Sequence, residues 1–112
     1  MQPELSIPVI WTEDGGPPLA GRLDLYDDRL HLDGGSRAAH ALRDVRYDEI
    51  TSARIGRDNG DRINGRIAMI LALTAGGTVS FAGLDRPGTL AEVLHRVEDR
   101  IGPSPSGSSA PG

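Results

Sequence analysis

Four arginines close together, Arg54, Arg57, Arg62 and Arg66, are the basic cluster of this sequence with the most chemical capacity. A guanidinium presents a planar fork of donors that matches a carboxylate or a phosphate, so the cluster reads as an anion or acidic-peptide contact. Asp58 and Asp61 lie among the arginines and lower the local charge to +2. The plainer alternative, a solvated loop with internal ion pairs, carries more weight from sequence alone.

Other chemistries meet obstacles. The 112 residues include no cysteine, which removes disulfides, thiolate metal sites and thiol catalysis. Lysine is also absent, and with it a Schiff base, a lysine general base and a P-loop lysine. Asp58-Asn59-Gly60-Asp61 departs from the order of a calcium loop and has no closing glutamate. His31, His40 and His95 have no paired ligand spacing, so no metal and no cofactor are expected. None of Ser6, Ser36, Ser52 or Ser80 stands in a nucleophile elbow. The adjacent pairs Asp27-Asp28 and Asp48-Glu49 suit turns and caps, because neighbouring side chains there point apart. No enzyme activity is expected from these residues.

Charge narrows the partners. Sixteen acids against twelve arginines leave a net charge of -4, the wrong sign for a surface that lives on nucleic acid or anionic leaflets. The first residues, MQPELSIPVIW, lack the basic start and apolar core of a signal peptide. The longest apolar run, Ile67 to Leu73, is far below the roughly 20 residues of a membrane span. A cytoplasmic setting is expected.

The elements that must position these groups follow from periodicity. Leu5, Ile7, Val9 and Trp11 alternate as a half-buried strand, which Pro8 places at a sheet edge, and the stretch from Glu13 to Pro18 is a turn. Trp11 shares the face of Ile7 and Val9 and belongs to the core, as do Tyr26, Tyr47 and Phe81. Leu23 and Leu25, then Leu30 and Leu32, form a hairpin about Asp27-Asp28 that ends at Gly34-Gly35. Leu42 or Val45, with Tyr47, lines a further strand, broken at Asp48-Glu49 before Ala53 and Ile55 resume the period. Asp58 to Gly65 reads as a polar loop. Arg66 to Thr74 and Thr78 to Ala82 form the last hairpin across Gly76-Gly77.

Leu90, Val93, Leu94, Val97 and Ile101 recur every three or four residues and make one stripe of a helix. Its start is capped either by Asp85 ahead of Pro87 or by Thr89 with Glu92. Gly102 and Pro103 end it, and residues 102–112, without a large apolar side chain, are expected to be a disordered tail. A mainly β (α+β) domain over 1–101 is predicted: a strongly bent antiparallel sheet or partly open barrel of about seven strands, capped by one C-terminal amphipathic helix.

In this order the segments GRLDLYDDRLHLDG, VRYDEITSARIG and IAMILALTAGGTVSFAGLDRPGTLAEVLHRVEDRI resemble bacterial pleckstrin-homology-like and GRAM-like domains, from about Gly21 to Ile101. The resemblance implies a binding barrel whose members bind phosphoinositides, bind peptides, self-associate or have no known ligand. Lipid-binding members carry a basic first loop, whereas TEDGGPPLAGR here has one arginine, Arg22, against Glu13 and Asp14. The favoured function is therefore a non-catalytic module for protein-protein interaction or self-association, with a peripheral membrane module as the alternative. The strand from Arg66 to Thr74 supplies the surface. Ile67, Met69, Leu71 and Leu73 fill its core face, while Ala68, Ile70 and Ala72 make the other face apolar as well. That second face is either an interface or is covered by the loop after Asp33 or by the N-terminal strand.

Overall fold

A computed structural model describes residues 2–35, 40–84 and 88–101. Seven strands, β1 (Leu5–Glu13), β2 (Leu19–Leu25), β3 (Arg29–Gly35), β4 (His40–Arg46), β5 (Ile50–Ile55), β6 (Met69–Leu73) and β7 (Thr78–Gly83), precede one helix, α1 (Gly88–Ile101). They form one antiparallel sheet in the order β4-β3-β2-β1-β7-β6-β5, curled into a half-barrel.

The long first strand is the hinge of the sheet. Residues Leu5 to Trp11 pair with β2, and Val9 to Glu13 pair with β7, so β1 joins the two halves and lies at the centre. The edge position inferred from Pro8 is thus corrected. Pro8 carbonyl oxygen accepts from Leu84 N–H at 3.0 Å, just beyond the last register pair of β1 with β7. Its missing N–H falls on that same side, where the ladder has ended, so a proline is tolerated in a central strand.

Alternation puts Ile7, Val9, Trp11, Leu23, Leu25, Leu30, Leu32, Val45, Met69, Leu71, Val79 and Phe81 inside. Between Leu42 and Val45, the structure chooses Val45: Leu42 is on the outer face and exposed. The β2–β3 hairpin runs further than the glycines suggested. Gly34 pairs with Gly21 inside the ladder, because the two strands approach so closely that a side chain on Gly21 would meet the Asp33 carbonyl. Glycine here permits close approach instead of ending the strand.

The helix closes one side. Leu90, Val93 and Val97 are fully inside, and Leu94 and Ile101 pack partly against the same core. Flanking this stripe, Arg96 and Arg100 hold Glu4 ahead of β1. A single 3-10 turn, Tyr47–Glu49, replaces the simple break expected there and packs against α1. Thr89 lies within the helix, one residue after its start, so it is not the cap. The Asp85 alternative and the tail at 102–112 lie outside the described residues.

Residues 56–68 depart most from expectation. Strand β6 begins at Met69, not Arg66, and the preceding segment folds into a small hairpin in which Ile63 and Arg66 exchange both backbone hydrogen bonds, at 3.0 and 2.9 Å. Asn64 and Gly65 have φ of 51° and 79°, the left-handed pair of a two-residue type I′ turn. The hairpin lays Ile63 over Ile10, Ala68 and Ala82, giving the outer face a small second core.

Candidate functional site

The outer surface of the β1-β7-β6-β5 half carries the site. Register places Thr12 beside Ser80, Ser80 beside Ile70, and Ile70 beside Arg54, a single row across four strands. Adjacent strands stand about 4.8 Å apart, so such a row forms a continuous floor. Two loops rise on either side of it and enclose a cleft of about 490 Å³.

The first rim is the β1–β2 turn, with Gly15, Gly16 and Pro18 on the cleft. Asp14 and Gly15 are both left-handed, at φ 53° and 72°. This aims the Asp14 carboxylate across to β7, where it accepts Thr78 N–H at 2.8 Å and fills the space a side chain on Gly77 would need. The acidic residue of this loop therefore anchors the rim. The second rim is the Ile63–Arg66 hairpin with Gly60 and Asp61, and Arg62 donates to the Gly65 carbonyl at 3.1 Å across its turn.

Of the predicted residues, Ile70, Arg54 and Arg62 converge on this cleft. Arg57 and Arg66 are exposed, line none of it, and have no ion pair among the described residues. Ala72 is half-buried one row further along β6, opposite Thr78 and Ser52. Ala68 is a correction: it is fully buried beneath Ile63, so it is not available to a partner. Of the two suggested covers, the N-terminal strand takes part through Ile10 of β1, while residues 36–39 of the loop after Asp33 lie outside the described residues. The rest of the cover is the hairpin at 63–66, through Ile63.

Charge within the cleft is positive but restrained. Arg54 pairs with Asp61 at 3.5 Å while keeping 60% of its side chain exposed. A solvent-exposed pair of this kind is worth about 0–1 kcal/mol, so an incoming carboxylate can compete for Arg54 at little cost. Asp61 itself is held by packing against Gly56, where no side chain would fit.

Elsewhere, polar groups act structurally. Glu13 and Arg43 reach across the mouth of the half-barrel at 2.9 Å, and Trp11 Nε1 donates to the Asp33 carbonyl at 2.9 Å. Tyr47 Oη donates to the Tyr26 carbonyl at 2.7 Å, and burial pushes its phenol up to about 12. His31 Nδ1 meets Asp44 Oδ1 at 2.6 Å, and His95 faces Asp99 at 3.8 Å. Among the described residues, no three His, Asp or Glu side chains converge as a metal site would require, and no helix is long and apolar enough to cross a membrane.

No family model and no curated protein matches this chain. Solved structures do. The C-terminal domain of an unknown protein from Leishmania infantum superimposes with a TM-score of 0.66 at 18% identity, over 86% of this chain and 84% of that one. A structure of Vav1 bound to an allosteric inhibitor, a protein that contains a pleckstrin-homology domain, superimposes at 0.61 and 12% identity over 88% of this chain. The fold is pleckstrin-homology-like. This PH-like chain spans only 26% of that Vav1 chain, and at these identities the likeness is one of fold alone.

What sequence reasoning missed in this PH-like domain is the second rim. Asn64-Gly65 is the dipeptide that selects a type I′ hairpin, but the polar residues around it give no alternating apolar strands to flank the turn. Thr12, Thr78 and Ser80 were missed as floor residues because strand hydroxyls carry no sequence signal of their own.

Proposed function

We propose that this domain is a non-catalytic docking module that holds a polypeptide segment bearing carboxylates beside an apolar side chain. One observation carries the reading: the cleft unites Ile70 with Arg54 and Arg62, two residue sets that looked unrelated along the chain. Ile70, the apolar residue of the floor row, desolvates part of the ligand, and the guanidinium forks take its carboxylates. Thr12, Thr78 and Ser80 supply hydroxyls for a peptide backbone.

Several features argue against an anionic membrane. The β1–β2 loop contributes Glu13 and Asp14, each engaged in fixing the fold, and the net charge is -4. The bacterial GRAM-like grouping and a reducing cytoplasmic setting belong to the same proposal. Its test is fluorescence anisotropy with a labelled Leu-Asp-Asp-Leu peptide at near-physiological salt. Saturable binding should weaken at least about tenfold in Arg54→Gln/Arg62→Gln, as loss of two charge-assisted contacts requires. Binding that ignores this change, or that prefers anionic vesicles to the peptide, overturns the reading.

A further inference from the structure

The acidic counterpart to the cleft is on the same molecule, at its far end. The β2–β3 turn exposes Asp27 and Asp28, and Tyr47 N–H donates to the Asp28 carbonyl at 3.3 Å, which sets Asp48 and Glu49 beside that turn. With Asp44 nearby, this end carries five carboxylates, of which Asp28 and Asp44 pair with Arg29 and Asp48 pairs with Arg46. The cleft is lined by Arg54 and Arg62 against Asp61, with Arg57, Arg66 and Asp58 exposed on the neighbouring surface and Asp14 of the rim committed to Thr78 N–H.

We propose that the cleft receives the β2–β3 turn of a second copy of this chain, in a head-to-tail contact that pairs Asp27 and Asp48 of one copy with Arg54 and Arg62 of the next. The proposal rests on the docking reading above and names its partner. Charge complementarity selects the pair, since the chain's own acidic turn has the chemistry the cleft demands. The turn is a narrow hairpin tip with Tyr26 N–H bonded to the Arg29 carbonyl at 2.9 Å, and it carries the half-buried Tyr26 ring beside its carboxylates.

The contact cannot close within one molecule. The acidic turn and the Gly15–Gly16 rim lie at opposite ends of β2, whose seven residues set them about 20 Å apart at the usual rise. Each copy therefore keeps an unused cleft and an unused turn. A heterologous contact of this type propagates into open chains or rings and does not stop at a twofold dimer.

Light scattering after size exclusion, on the full chain, tests this. The wild-type mass should rise with concentration, and the association should weaken at least about tenfold between 50 mM and 500 mM salt, as screening of exposed charge requires. Arg54→Glu/Arg62→Glu and Asp27→Arg/Asp48→Arg should each be monomeric. Mixed, they should form a one-to-one dimer and nothing larger, because one retains only its turn and the other only its cleft. Circular dichroism checks that each variant folds, and Arg54→Gln/Arg62→Gln with Asp27→Asn/Asp48→Asn replaces any that does not.

A wild type that stays monomeric at millimolar concentration overturns the proposal, as does a mixture of folded variants that fails to pair. Arg54- and Arg62-dependent binding of the Leu-Asp-Asp-Leu peptide by a monomeric wild type would leave the docking reading standing while self-recognition falls. Absence of both would remove the two together.

Discussion

Two residues show how the interior depends on single groups. Gly34 lies under the indole of Trp11, where an added Cβ would stand 2.7 Å from Nε1 and 3.0 Å from the Ala20 carbonyl. Gly34→Ala should cost about 1–3 kcal/mol through overpacking, and chemical denaturation followed by Trp11 fluorescence measures it. An unchanged midpoint would mean that β3 yields without strain. Tyr47 provides a pH test. Its folded pKa, pushed up to about 12, exceeds the ordinary value of 10.0, so the folded state holds the proton more tightly than the unfolded chain does. That contribution is fully present below pH 10 and is lost as pH rises towards 12. Wild-type stability should fall across this window, and Tyr47→Phe, which loses about 1 kcal/mol of hydrogen bonding at neutral pH, should show a shallower fall.

At the scale of elements, β6 separates cover from floor. Ala68 is fully buried under the 63–66 hairpin, whereas Ile70, two residues on, is half-exposed to the cleft. Ala68→Asp should therefore prevent folding, because an unpaired carboxylate would lose its water. Ile70→Asp should keep the circular dichroism spectrum and cooperative unfolding while abolishing peptide binding. If Ile70→Asp also fails to fold, the cleft floor is interior and the docking surface lies elsewhere. The stripe of α1 was legible in full, since three- and four-residue spacing has one geometric solution, and Leu90, Val93 and Val97 are inside as it requires. The edge role read from Pro8 was not, because a proline reports only that one N–H is unneeded and says nothing about which side of the strand that N–H would face.

On the scale of the whole molecule, β1 is the connection on which both halves depend. It pairs with β2 next in sequence and with β7 some seventy residues away. Removing residues 1–13 should leave no cooperative unfolding transition, because the β2-β3-β4 and β5-β6-β7 groups share no other strand. Calorimetry of the truncated chain is the check, and a retained sharp transition would show that one half folds alone. Long-range closure should also make folding of the intact domain slow, in the millisecond-to-second range typical of non-local β topologies, as stopped-flow refolding would record.

Sequence by itself determined the strand count, the helix and its stripe and the inward placement of Trp11, and it offered Ile70, Arg54 and Arg62 among seven candidate residues. Each rests on local information: a period, a turn dipeptide, or a side-chain chemistry that travels with the residue. Only the tertiary structure decided that β1 is central, that Ala68 is sealed, and that Ile70 shares a cleft with two arginines. Those facts depend on which strands become neighbours and on where a short hairpin lies against the sheet. Such placement is fixed by long-range pairing and by the burial of Ile63 against Ile10, Ala68 and Ala82, contacts between residues far apart along the chain.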